Sequence, residues 1–123
     1  MLGDGMDRHL KSFIDFVARP TETVISSLAG WVVDDCGEQQ WGRLIVTDER
    51  VSFYQRRFDE DLLRTMSIDS IWQFRSEHRG DSGSIRVTDP KGEMTVYVRE
   101  DEDLAAAFAD VVIVLLEADA ERP

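Results

Sequence analysis

The chain has 123 residues and a mass of 14.1 kDa, the size of one ordinary domain. Acidic residues outnumber basic ones by 25 to 14, and the formal net charge is −11. This charge repels phosphate-bearing polymers and anionic surfaces at long range, so it argues against binding to nucleic acid and against bulk binding to anionic membranes.

Cysteine and histidine are scarce in this chain. Cys36 is the only cysteine, which excludes an intramolecular disulfide and any zinc site built from several cysteines. With only His9 and His78 besides, a histidine-rich site is excluded as well. Residues 1–10 lack the basic and then apolar pattern of a secretory signal, and the longest apolar run, residues 111–116, is far shorter than the ~18 residues of a membrane span. We therefore expect a cytoplasmic protein that binds no cofactor.

The first segment is predicted to be helical. Four apolar residues recur at the spacing of one helical face: Leu10, Phe13, Ile14 and Val17. Pro20 ends this helix, because the residue before a proline is pushed out of the α region. Thr21 is predicted to cap a second short helix that carries Val24, Ile25 and Leu28 and stops at Gly30, and a strand is expected to begin near Trp31.

From Trp41 the apolar period changes from 3.6 to 2, which is typical of strands. Residues 41–47 and 51–55 alternate on either side of a polar turn at residues 48–50 and predict a hairpin. Further strands and turns follow: strands at residues 63–68, 70–74, 84–88 and 94–98, and turns at residues 80–83 and 89–92. Together they predict an antiparallel meander with one buried face.

The chain closes with a predicted amphipathic helix. Acidic residues 100–103 lie at its N-terminus, where the helix dipole favours negative charge. Its core stripe consists of Leu104, Phe108, Val111, Val112 and Leu115, and a second apolar edge consists of Ala105, Ala109, Ile113 and Leu116. The residues of this second apolar edge either pack tightly within the chain or contact a partner or a second copy. Ile113 and Leu116 are therefore candidate interaction residues.

Residues 41–54 read Trp-Gly-Arg-Leu-Ile-Val-Thr-Asp-Glu-Arg-Val-Ser-Phe-Tyr. This run resembles the central hairpin of bacterial pleckstrin-homology-like domains, which are related in pattern to GRAM domains. Residues 66–71 resemble the next strand of that family, with Ser67 where proline is common. The resemblance implies a mainly β fold of the α+β class: a bent antiparallel sheet or partly open barrel, capped by a C-terminal helix.

On this basis the chain divides into three parts. Residues 1–23 form an N-terminal helical extension, residues 24–118 the pleckstrin-homology-like domain, and residues 119–123 a polar tail. The hairpin motif predicts architecture and no chemistry, because each of its residues has a local structural reason: Gly42 relieves crowding at a sheet bend, Thr47 and Asp48 bond turn amides, and Arg50 pairs with Asp48 or a carbonyl.

Eukaryotic pleckstrin-homology domains bind phosphoinositides through basic residues on the loop that joins their first two strands. The corresponding residues 34–40 include three acids and no base, so we expect no specific phosphoinositide binding. Arg56 and Arg57, beside Phe58, are a candidate weak anion or lipid patch. The acids at residues 59–61 follow at once and favour a solvated, salt-bridged loop.

No catalytic motif is present: the sequence has neither a nucleophile elbow nor a glycine-rich phosphate loop. The acidic residues of the predicted turns have no nearby apolar wall to raise a pKa. We therefore expect that the protein is not an enzyme.

Trp41 and Ile45 fall on the strand face opposite Leu44 and Val46, so this outer face needs a cover. The two candidate covers are the N-terminal helix, which carries Phe13 and Phe16 on adjoining faces, and another chain.

The leading hypothesis is a non-catalytic module that self-associates or binds another protein. Its candidate interaction surface consists of Trp41, Ile45, Ile113 and Leu116. A peripheral membrane or lipid-binding module is the main alternative, and a small-molecule pocket between sheet and helix is a third.

Overall fold

In the part of the chain that the computed structural model describes, residues 8–79, 82–99 and 102–120, seven strands lie between two helical segments. The N-terminal segment consists of α1 (Arg8–Ser12) and a π-helical turn (Phe13–Val17), and the C-terminal helix is α2 (Leu104–Ala120). The strands are β1 (Val24–Val33), β2 (Gln39–Thr47), β3 (Arg50–Gln55), β4 (Leu62–Ser67), β5 (Gln73–Arg79), β6 (Ser82–Asp89) and β7 (Gly92–Val98), with a 3₁₀ turn (Ile68–Ser70) before β5.

All neighbouring strands of the sheet are antiparallel, in the order β4-β3-β2-β1-β7-β6-β5. β1 pairs with β2 along its length but with β7 only at Gly30↔Val98 and Trp31↔Tyr97. This short junction joins two antiparallel meanders, β1–β4 and β5–β7, and leaves β4 and β5 as the edges. The predicted antiparallel sheet with a C-terminal helix is confirmed.

The main core lies between the inner face of the sheet and α2. Alternate residues of the strands fill it, among them Leu28, Leu44 and Val96, as expected for strands buried on one face. From the helix, Leu104, Ala107 and Val111 pack into this cluster, and the Phe108 ring stacks on Phe74 at 5.2 Å between centroids. Of the predicted core stripe of α2, Leu104, Phe108, Val111 and Leu115 therefore face the sheet, and Val114 packs there rather than Val112.

Two glycines allow the strands to approach closely where the sheet bends. Gly30 of β1 lies directly opposite Gly42 of β2. A Cβ at Gly30 would lie 2.1 Å from the carbonyl oxygen of Tyr97, and one at Gly42 would lie 2.3 Å from that of Tyr54. No side chain fits at either distance, so the role predicted for Gly42 is confirmed and extends to Gly30.

The predicted short helix at residues 24–28 is wrong, because these residues begin β1. Local pattern alone favoured a helix here. Ladder hydrogen bonds to β2, formed along the whole of β1, outweigh that preference, and Val24 and Ile25 are β-branched residues that suit a strand.

The N-terminal segment differs from a regular helix. Between Phe13 and Val17 it is π-helical, and the Ala18 amide donates to the Phe13 carbonyl at 2.8 Å. The wider turn shifts the side chains around the axis, so Phe13 is buried while Ile14 is exposed. The prediction from the 3.6-residue period was therefore correct for Phe13 and wrong for Ile14, which does not lie on the buried face.

The strand predicted at residues 70–74 is misplaced, because residues 68–70 form a 3₁₀ turn, closed by the Ile71 amide on the Ile68 carbonyl, and β5 runs only from Gln73 to Arg79. The turn between β6 and β7 fits its prediction. The Asp89 carboxylate accepts hydrogen bonds from the Lys91 and Gly92 amides and closes the β6–β7 turn. The predicted turn at residues 80–83, acidic residues 100–101 and the chain ends at 1–7 and 121–123 lie wholly or partly outside the described residues. In the described ranges, no helix is both long and apolar enough to cross a membrane.

Gly30→Ala should lower the free energy of unfolding by about 2–3 kcal/mol, because the new methyl group must push β7 away from β1. Urea unfolding followed by circular dichroism measures this loss. Gly37→Ala is the control: Gly37 has a φ of 82° but open space around it, so only backbone strain of about 1 kcal/mol opposes alanine there. An equal or smaller loss at Gly30 would contradict the close approach.

Candidate functional site

One part of the outer sheet face is covered by the chain itself. Phe13 packs on Ile45 of β2 and Tyr54 of β3, and all three are fully buried. The Phe13 and Tyr54 rings meet edge to face, with centroids 5.8 Å apart. Ile45 was predicted as an interaction residue, but it is not on the surface, because the N-terminal segment covers it.

A largely buried ion pair between Arg50 and Glu22 holds the N-terminal segment against the β2–β3 turn. Arg50 donates from Nε and Nη2 to the two carboxylate oxygens of Glu22, at 2.8 and 2.9 Å, and from Nη2 to the Val17 carbonyl at 3.0 Å. Its guanidinium also lies over the Phe13 ring, 5.4 Å from the centroid. Thr47 donates its hydroxyl hydrogen to the same Glu22 carboxylate. Two residues of the hairpin motif, Thr47 and Arg50, thus hold the N-terminal segment.

The environment of Glu22 favours its charged form. Burial raises the pKa of its carboxyl, but hydrogen bonds from Arg50, Thr47 and the Arg19 amide outweigh burial, and the pKa falls from 4.5 to about 2. A carboxyl with a lowered pKa in the folded state stabilises the fold at a pH above 4.5. That contribution is lost as the pH falls from 4.5 through 2.

An aromatic row crosses the part of the outer face that remains open. We use this name for Tyr97 of β7, Trp31 of β1 and Trp41 of β2, which lie side by side in register. The ring centroids of Trp31 and Trp41 are 4.6 Å apart, and those of Trp31 and Tyr97 are 5.6 Å apart. Trp41 is 46% exposed and Tyr97 is 40% exposed. The row is a continuous aromatic surface on a rigid sheet.

Trp41 lies on the outer face as predicted, whereas Trp31 and Tyr97 were not recognised as its neighbours. Trp31 was expected only at the start of a strand, because residues 24–28 were assigned to a helix. Tyr97 alternates with the buried residues Val96 and Val98, so its outward position could be predicted, but its pairing with β1 could not. The missing information is the long-range register of β1 with β7.

The turn between β1 and β2 lies beyond one side of the aromatic row. The Asp34 carboxylate accepts hydrogen bonds from the Glu38 amide, the Gln40 side chain and the Cys36 amide, which lower its pKa. Asp35 and Glu38 of this turn are exposed, as is Cys36. Within residues 8–79, 82–99 and 102–120, no three His, Cys, Asp or Glu residues are grouped to hold a metal ion.

Cations around the aromatic row have partners of their own. The Arg43 guanidinium donates to the Ser27 hydroxyl and lies 3.7 Å from the Glu102 carboxylate. On β6, the Arg86 guanidinium lies 3.5 Å from the Glu93 carboxylate. The positive charges of Arg43 and Arg86 are therefore offset by nearby carboxylates.

Arg56 and Arg57 lie in the β3–β4 loop, and both are engaged with neighbours. Arg56 Nη1 is 3.6 Å from Asp61, and its guanidinium is 5.7 Å from the centre of the Phe16 ring. Arg57 donates to the side-chain oxygens of Gln55 and Gln40, at 2.6 and 2.9 Å.

Asp61 organises the β3–β4 loop. It accepts hydrogen bonds from the Tyr54 hydroxyl and the Arg57 amide, which lower its pKa. Burial raises the pKa of Tyr54, and the hydrogen bond to Asp61 raises it further. Phe58 is fully exposed in this loop, which borders an open depression of about 450 Å³. The loop is charge-paired around one protruding aromatic side chain.

The outward side of α2 presents a second apolar surface, the helix stripe. It consists of Ala105, Ala109, Ile113 and Leu116, all exposed. Ile113 is 55% and Leu116 63% exposed, whereas Leu104 and Val111 on the other side are buried in the core. The two candidate residues of the helix are therefore accessible to a partner.

The solved structures that are similar to this chain include three that cover most of it. The C-terminal domain of an unknown protein from Leishmania infantum matches with a TM-score of 0.61 and 17% identity, over 86% of this chain and 93% of that one. The human hSac2 domain, from the phosphoinositide phosphatase Sac2, matches with a TM-score of 0.54 and 11% identity, over 90% and 78%. The DH/PH domains of p115-RhoGEF match with a TM-score of 0.52 and 11% identity, over 98% of this chain and 37% of that one. No family model and no curated protein sequence matches the chain.

These similarities define the class of protein by its fold. The bent antiparallel sheet with its C-terminal helix is a pleckstrin-homology-like fold, as the resemblance of the hairpin implied. At identities of 11–17% the similarity concerns the fold alone. The narrower bacterial family stays a prediction.

Glu22→Gln should lower the free energy of unfolding at pH 7 by about 2–3 kcal/mol, because it removes a charged partner of Arg50. The difference from the wild type should shrink as the pH falls from 4.5 to 2, where the wild-type carboxylate takes up a proton. Urea unfolding at several pH values measures both effects. Glu49→Gln is the control, since its ion pair with Arg19 is exposed and contributes about 1 kcal/mol at most. A pH-independent difference for Glu22→Gln would contradict the lowered pKa.

Proposed function

We propose that this chain is a non-catalytic interaction module that binds protein through the open part of its outer sheet face. The aromatic row carries this proposal. Tryptophan and tyrosine are enriched in protein interfaces, because they bury a large area and lose little conformational freedom. Three such rings in register, on strands that the core holds rigid, form a surface suited to a partner.

Self-association is one form of this function, and the helix stripe supports it. Ile113 and Leu116 are exposed, and burial of each side chain between two copies would contribute roughly 1.5–3 kcal/mol to the free energy of association. Ala105 and Ala109 extend the same stripe with small side chains that let a second helix approach. The module would then display its aromatic row on an assembly of several copies.

Light scattering after size exclusion, over a tenfold range of concentration and at two salt levels, tests how the chain assembles. We expect a dimer or larger species, and the double variant Ile113→Glu, Leu116→Glu should return it to a monomer. The matched control is Ala105→Ser, Ala109→Ser, which keeps the stripe's charge and most of its shape. A monomeric wild type at all concentrations would contradict self-association and leave binding to a different protein.

A peripheral lipid-binding module is the second candidate function, and Phe58 favours it. This side chain is fully exposed and stands next to Arg56 and Arg57, an arrangement in which a ring enters the lipid interface while cations contact phosphates. Against it stand the acids at residues 59–61 and the net charge of −11. The hSac2 domain, which shares the fold, comes from a phosphoinositide phosphatase, and this supports a test of lipid binding.

Sedimentation with phosphatidylcholine vesicles, with and without phosphatidylserine, tests the lipid-binding candidate at low salt. If the protein binds lipid, it should sediment with the anionic vesicles. Phe58→Ser should then abolish this binding, and the double variant Arg56→Gln, Arg57→Gln should weaken it several-fold. The charge-matched control is Arg64→Gln, Arg75→Gln, at two exposed arginines outside the loop. We expect no sedimentation of the wild type, because its net charge repels an anionic surface.

A further inference from the structure

We infer that the aromatic row binds a cationic peptide segment of a partner protein, with arginine or lysine side chains placed on the rings. This inference rests on the proposed function, that the row is a docking surface for protein, and it adds the chemistry of the partner. Two features of the surface carry it: the exposed aromatic rings and the charge that surrounds them.

The rings supply the first attraction. The face of a tryptophan or tyrosine ring attracts a cation, and an arginine guanidinium also stacks flat on it. Within the described residues the chain already forms such contacts, with Arg50 over Phe13 and Arg56 over Phe16. In the aromatic row, Trp41 and Tyr97 form the two ends and remain substantially exposed. A guanidinium from a partner can reach either end.

The β1–β2 turn supplies the second attraction. Asp35 and Glu38 both lie in the short turn that joins β1, which carries Trp31, to β2, which carries Trp41. An extended partner segment can therefore place cations on the rings and continue towards the acids of the turn. Val33, 45% exposed, provides an apolar surface between them.

The net charge of the turn is negative after its neighbours are counted. Arg57 donates a hydrogen bond to the Gln40 side chain, and Gln40 in turn donates one to Asp34. The positive charge of Arg57 therefore offsets the negative charge of Asp34. Asp35 and Glu38 remain as two negative charges on the surface of the turn. Two arginines near the row are paired with carboxylates, Arg43 with Glu102 and Arg86 with Glu93, and Arg99 lies two residues beyond Tyr97.

The same charges disfavour the other occupants of this face. A second copy would bring another chain of charge −11, with its own acidic turn, against the row. An anionic membrane meets the same repulsion. A partner segment rich in arginine or lysine is attracted at a distance and is complementary in contact.

Fluorescence anisotropy with labelled twelve-residue peptides tests the inference. The probes are alternating Arg-Gly, Lys-Gly, Ser-Gly and Glu-Gly repeats, titrated with the full chain at 50 and 300 mM NaCl. We expect the Arg-Gly peptide to bind most tightly, the Lys-Gly peptide next, and the other two not at all. Affinity for the cationic peptides should fall with added salt, because part of the attraction is screened.

Matched variants locate the binding on the surface. Trp41→Ala should weaken binding of the Arg-Gly peptide about fivefold or more, whereas Trp72→Ala, at a more exposed tryptophan outside the row, should leave it unchanged. Asp35→Asn, Glu38→Gln should weaken binding and reduce its salt dependence. Asp110→Asn, Glu117→Gln removes the same charge from exposed positions of α2 and should change affinity by less than about twofold.

Three results would overturn the inference. The first is no binding of the Arg-Gly peptide at 50 mM NaCl, and the second is equal weakening by the turn and helix charge variants. The third is binding that Trp41→Ala leaves intact while the melting temperature shows that this variant is folded. The charge variants lie at exposed positions, so they keep the test decisive if Trp41→Ala does not fold. Should a protein partner depend on Trp41 while cationic peptides fail to bind, the proposed function stands and this inference fails.

Discussion

The crossing of β1 and β7 at Gly30 is the constraint on which the rest of the structure depends. Only at Gly30 and Trp31 does β1 pair with β7, and the Tyr97 carbonyl approaches so closely that no Cβ fits at Gly30. This contact joins the two meanders into one sheet and encloses the core beneath α2. It also sets Tyr97 beside Trp31, so the aromatic row exists because of the same close approach.

The hairpin motif has a tertiary purpose that its local chemistry does not reveal. Thr47 and Arg50 converge on the buried carboxylate of Glu22, which lies more than twenty positions earlier in the chain. This pairing fixes the segment that carries Phe13 and so decides how much of the outer face is covered. Removal of either partner of such a pair is destabilising, because it leaves a charge out of water without compensation.

The two apolar surfaces of the protein fit different partners. The helix stripe is smooth and aliphatic, and it lies on the side of α2 that turns away from the sheet. The aromatic row is polarisable and lies near an acidic turn, which suits a cationic segment. One module can therefore assemble through its helix and keep the row free for a different protein.

The sequence by itself determined most of the strands, the C-terminal helix with its two apolar sides, and the outward position of Trp41. These follow from periodicity, which is a local property of the chain. Only the tertiary structure decided that residues 24–28 form a strand, that Phe13 covers Ile45, and that Trp31 and Tyr97 join Trp41. Each of these depends on pairing between residues far apart in the chain. Such register is fixed by packing and by close approaches such as that at Gly30, which local pattern does not encode.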